Sequence, residues 1–188
     1  IDSGGVFWMD KDAYVIAREK EMINHGEIMI RDGNFTITSN TKVQNEGLIR
    51  MVGKGQVMGQ SFGISGDFAV IHNTEKGTFI ADHTDEPANF TAFDLINEGR
   101  FIISGGTIDM DASISNRRFQ QLGGSMLLDS GNFIAPLGLV IEGGALIGSG
   151  IVRCELVNKS IVSPGSDSSA FGIIEVTADI TQDSTGIF

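Results

Sequence analysis

The acids of Thr107-Ile108-Asp109-Met110-Asp111 are the first residues whose type and spacing could do chemistry. Asp109 and Asp111 stand two apart in a β-patterned phrase and so point to one face. Asp129, about one repeat later, could stand a winding away on that same face. Two carboxylates roughly 5–10 Å apart form the pair that glycoside hydrolysis uses. The plainer reading is that these are outward acids on a solvated strand of an acidic protein.

A second cluster, Asp82-His83-Thr84-Asp85-Glu86-Pro87, gathers carboxylate oxygens and an imidazole that could hold a divalent cation. Its spacing fits neither a zinc helix nor a calcium-binding loop, so it reads as a solvated insertion, and no metal or cofactor is expected. Gly59-Gln60-Ser61-Phe62-Gly63 matches a nucleophile elbow, but that motif needs a helix behind it, and Ile64-Ser65-Gly66-Asp67 offers turn and strand residues. Cys154 has no obvious histidine partner. Ser104-Gly105-Gly106 reads as a turn into the strand at Thr107 rather than a phosphate loop. Arg117-Arg118 reads as a surface turn, and Trp8 and the phenylalanines as core or stacking residues. No catalytic residue is assigned. Asp82, His83, Asp85, Glu86, Asp109, Asp111 and Asp129 remain as candidate binding residues.

The elements that must position these groups are strands. β-Branched and aromatic residues alternate over four to six positions in Glu27-Ile28-Met29-Ile30, Asn34-Phe35-Thr36-Ile37 and Thr107-Ile108-Asp109-Met110, with Gly, Asn, Asp and Ser clustered between. The one stretch with a hint of helical spacing, Asp10–Met22, contains Tyr14-Val15-Ile16, which favours a strand. A short phrase returns along the chain: Ile23-Asn24-His25-Gly26-Glu27, Gln44-Asn45-Glu46-Gly47-Leu48 and Ile96-Asn97-Glu98-Gly99-Arg100. Looser copies lie around Gly77, Gly124, Gly144 and Asn158. The interval is irregular and centred on roughly 20–25 residues, the length of one coil of a β-solenoid.

The expected fold is therefore all-β, a right-handed parallel β-helix of about seven to eight coils over a single domain, 1–188, giving a rod roughly 35 Å long. Asn24, Asn45, Asn97 and Asn158 are expected to stack as a structural ladder at one corner, each amide bonding the turn backbone. The alternative is an antiparallel β-sandwich, because Arg31-Asp32-Gly33-Asn34 has hairpin-turn chemistry.

Composition narrows the partners. The chain carries 24 acidic and 13 basic residues, net −11, which argues against nucleic acid and anionic membrane surfaces. The longest apolar runs fall well short of the ~18 residues of a membrane span, so no direct membrane insertion is expected. The 25 glycines keep no period of three, which excludes collagen. A single cysteine excludes an intrachain disulfide and four-thiolate metal sites.

The phrases Gly144-Ala145-Leu146-Ile147-Gly148-Ser149-Gly150-Ile151-Val152, Leu156-Val157-Asn158-Lys159-Ser160-Ile161-Val162-Ser163-Pro164-Gly165 and Gly172-Ile173-Ile174-Glu175-Val176 resemble a repeat of the secreted passenger domains of bacterial autotransporter adhesins. Ser160 stands where that repeat has glycine and Ile180 where it has tyrosine. The cadence also resembles the β-helical wall adhesins of yeasts, in which Asn34-Phe35-Thr36, Asn89-Phe90-Thr91 and Asn158-Lys159-Ser160 would be glycan acceptors. The phrases of the pectin-degrading solenoids do not occur. The resemblance implies a non-enzymatic cell-surface or secreted adhesin or stalk, a fragment of a longer protein, as the apolar ending Gly186-Ile187-Phe188 also suggests. Its implied partners are a host receptor, a matrix glycan or another copy of itself. Loops near Asp82–Ala92 and Asn116–Leu122 would supply specificity. A polysaccharide-cleaving enzyme using Asp109, Asp111 or Asp129 is the alternative function.

Overall fold

The computed structural model describes residues 1–10, 14–17, 21–38, 40–53, 56–60, 69–82, 87–91, 93–111, 119–165 and 171–188, with the backbone alone for 14–17, 56–60, 89, 91 and 111. Every element among them is a β-strand or a turn, and every strand-to-strand pairing is parallel. The chain is a β-solenoid, and each winding lays one strand on each of three faces.

The first face stacks Val6–Met9, Glu27–Arg31, Leu48–Val52, Thr78–Asp82, Arg100–Ser104, the leading halves of Ser125–Ile134 and Ala145–Arg153, and Ile161–Pro164. The second carries Tyr14–Ala17, Asn34–Thr38, Gln56–Gln60, Ala88–Thr91, Thr107–Asp111, the trailing halves of the two long strands, and Ile174–Val176. The third is an eight-stranded sheet from Glu21–Asn24 to Ile180–Gln182, one strand per winding. That matches the expected coil number. The antiparallel sandwich is excluded. Glu27–Arg31 and Asn34–Thr38 flank the hairpin-like Asp32-Gly33 yet do not pair with each other; each pairs with the winding above and below. Asp32, with φ of 53°, turns the chain through a corner instead. The ambiguous stretch near Asp10–Met22 supplies two strands, Tyr14–Ala17 and Glu21–Asn24.

Alternation decides what fills the bore. Phe79, Phe101, Phe119 and Phe133 form a continuous run of rings with centroids 5.1–5.3 Å apart, and Phe90 and Phe93 join it at 5.6 Å. Burying a side chain of this size is worth about 1.5–3 kcal/mol, and each ring pair adds about 0.5–1.5. Stacking like residues on successive windings thus turns one local pattern into one long core.

Between the third and first faces the windings approach closely. A methyl group on Gly47 would stand 2.2 Å from the carbonyl oxygen of Gly26, which itself accepts from the Leu48 amide at 2.8 Å. Only glycine lets the two backbones meet there. At the corresponding turn one winding beyond Gly144 stands Ser160, whose hydroxyl donates to the Gly144 carbonyl at 2.8 Å.

Candidate binding surfaces

The asparagines at this corner form the longest buried side-chain hydrogen-bond line among the described residues. Asn24 Nδ2 donates to Asn45 Oδ1 at 2.8 Å, Asn45 to Asn73 at 2.7 Å, Asn73 to Asn97 at 2.7 Å, and Asn97 to Gln121 Oε1 at 2.8 Å. Each of these donor amides also reaches the first carbonyl of the strand two windings on: Leu48, Thr78, Arg100 and Ser125, at 3.0–3.2 Å. All five side chains are fully buried. Ile141 then occupies the ladder position, and the line resumes with Asn158 donating to Gln182 at 3.0 Å. Three expected members stack in one run. Asn158 belongs to a second segment beyond the Ile141 gap. Asn73, Gln121 and Gln182 complete the pattern. With the amides from Asn24 to Gln121 buried and hydrogen-bonded internally, that run of the ladder is structure, not a ligand site. Asn158, fully buried, is closed to glycan attachment in the folded chain.

The acidic candidates are dispersed. Asp109 faces outward between the buried Ile108 and Met110, in register with Asn89 and Ile134; Asp111 stands opposite Thr91. Asp129 lies in the winding after Asp109 but not on its face, where Ile134 takes the place opposite Asp109. It sits at the corner between first and second faces, opposite Ser149, and its carboxylate accepts from Ser104 Oγ at 3.3 Å. The error is one of register: the Asp109 and Asp129 strands are related by pairing across a corner bulge between Asp129 and Asn132. Asp82 ends a first-face strand and binds Arg50 Nη2 at 3.2 Å. His83, Asp85 and Glu86 lie outside the described residues, as do Ser61 of the elbow phrase and Arg117-Arg118. Among the described residues no cluster of three metal-ligating side chains occurs. Both expected recognition loops are strand in part: Ala88–Thr91 lies on the second face and Phe119–Gln121 on the third. Ser104-Gly105-Gly106 is the turn it was expected to be, with Gly105 and Gly106 at positive φ. Cys154 is buried against the core, and that burial pushes its thiol up to about 11.

Two surface features have more extent. On the third face Gln120, Leu137, Val140 and Val157 floor a shallow groove of about 300 Å³ edged by Glu142 and Glu155. Glu142 is held by Lys159 at 3.6 Å. On the first face the outward positions of four successive windings are Ile80, Ile102, Leu127 and Ile147, in direct register. They alternate with buried Phe79, Phe101, Met126 and Leu146, so their outward aim is fixed by the core. Toward the start of the chain the same column continues through Arg50 and Met29 to Trp8, which is 54% exposed beneath the Arg31 guanidinium, 5.7 Å from its ring centre. Trp8 is therefore a stacked surface residue, unlike the phenylalanines of the core.

Fold and surface define a parallel β-solenoid with an amide-laddered corner and an aliphatic outer column. No family model, no curated protein and no solved structure matches this chain.

Proposed function

We propose that this chain is a non-enzymatic segment of a cell-surface or secreted adhesin or stalk, which recognises its partner through an extended lateral face. The observation that carries this reading is the outward column Ile80, Ile102, Leu127 and Ile147. A solvated sheet face ordinarily alternates polar-out, and four stacked aliphatic residues on consecutive windings form a stripe that costs solubility unless something covers it. The amide ladder and continuous core give the rod the stiffness to hold such a face flat. The repeat phrases that resemble autotransporter passenger domains support the same reading.

The test is binding of the full chain, wild type and Leu127→Glu, to immobilised matrix proteins and a glycan array, with hydrolysis of the glycans assayed alongside. Saturable binding weakened by Leu127→Glu is expected. Turnover of a glycan, or binding indifferent to every first-face substitution, would overturn the proposal.

A further inference from the structure

Resting on that reading of the first face, we infer that its occupant is a second copy of this chain, packed face to face and running parallel about a two-fold axis along the solenoid. Such an axis lays the central column on itself. It also brings the position opening each first-face strand opposite the position closing the same strand in the other copy. On four windings the residues at those positions are compatible, and one pair is of opposite charge. Glu27 meets Arg31 of the second copy, and Leu48 meets Val52. Thr78 meets Asp82. Exposed Arg100 meets Ser104, with Asp82 about 4.8 Å below it and Ser130 in register above, beside Asp129 at the bulge. Ser104 Oγ donates to the Asp129 carboxylate at 3.3 Å.

The antiparallel two-fold centred on the same winding does the opposite. It sets Arg100 against Arg100 and brings Asp82 to the Asp129–Ser130 bulge, a like-charge arrangement that disfavours the wrong partner geometry. The parallel axis also sets Arg50, which interrupts the column, against Arg50 of the second copy, and each is balanced within its own chain by Asp82 at 3.2 Å. Ser125 and Ala145 flank Leu127 and Ile147 without bulk, so the aliphatic residues can reach across the ~10 Å that separates packed sheets. A face about 17 Å wide and about 30 Å tall buries on the order of 500 Å² per copy, about 1,000 Å² in all, which reaches the lower bound for a specific interface.

Sedimentation equilibrium of the full chain tests this. The wild type is expected to dimerise with a Kd at or below about 100 µM, a modest affinity suited to an interface of this size. Leu127→Glu is expected to weaken the dimer by more than about 100-fold and Arg100→Glu by about tenfold, each with unchanged circular dichroism. Glu27→Arg is expected to weaken it, and adding Arg31→Glu to restore it, because only the parallel arrangement sets those two positions against each other. A monomer throughout, a dimer indifferent to Leu127→Glu, or failure of the second substitution to restore association each overturns the inference. Matrix or glycan binding that persists when self-association is absent leaves the recognition reading standing, so the two failures are distinguishable.

Discussion

Replacing Asn73 by leucine removes one rung of the amide ladder while keeping nearly the same volume in the corner. Three hydrogen bonds are lost: the one accepted from Asn45 at 2.7 Å and the two donated to Asn97 at 2.7 Å and to the Arg100 carbonyl at 3.0 Å. Asn45 Nδ2 keeps its bond to Thr78. Asn97 Oδ1 is left as a buried acceptor without its donor. Net hydrogen-bond terms of about 0.5–1.5 kcal/mol for each of the three, plus about 1–3 for a stranded buried group, come to roughly 2.5–7.5 kcal/mol. The new apolar contact returns about 1–2 kcal/mol of that. The expected loss is therefore centred on about 3.5 kcal/mol, a large share of the stability of a domain. Urea unfolding followed by far-ultraviolet circular dichroism measures it, with hydrogen exchange at Glu98 and Arg100 as a local readout, since solenoids can open piecewise. A loss under 1 kcal/mol, with exchange unchanged, would refute the view that the ladder is a stabilising unit.

Three further outcomes follow from other parts of the molecule. Ile141→Asn fills the ladder gap between Gln121 and Asn158 and is expected to cost less than about 1 kcal/mol, whereas Leu139→Asn, two residues earlier on the same strand and facing the apolar core, is expected to cost about 3 or more; equal costs in thermal unfolding would contradict the amide environment assigned to position 141. Gly47→Ala forces a methyl group to 2.2 Å from the Gly26 carbonyl and is expected to cost about 3 kcal/mol or more, while Gly123→Ala, whose nearest neighbour would be 3.5 Å away, is expected to change stability by less than about 1. Burial raises the Cys154 thiol to about 11 in the folded chain, so the folded state holds its proton where the unfolded state releases it. Stability present below about pH 9 is thus lost as pH rises toward about 11, and Cys154→Ala should flatten that part of the stability profile. Native Cys154 should also resist alkylation at pH 8 until the chain is unfolded.

Strand type, parallel stacking and the asparagine corner were legible in the chain because each is a local property repeated. Period-two alternation fixes which residues of a strand share a face, and Asn-x-Gly places an amide beside a turn that tolerates close backbones. Asn24, Asn45 and Asn97 were found that way. Asn73 was overlooked because Asn73-Thr74-Glu75-Lys76-Gly77 spreads the phrase over two more residues, and Gln121 and Gln182 because a longer amide does the same work from a different phrase. What only the tertiary structure decided is register between windings. Loops of unequal length separate the strands, so distance along the chain does not tell which residues lie opposite. This is why Asp129 faces Ser149 rather than neighbouring Asp109. The outer column of Ile80, Ile102, Leu127 and Ile147 is invisible for the same reason: each residue is unremarkable in its own strand, and only stacking makes them one surface.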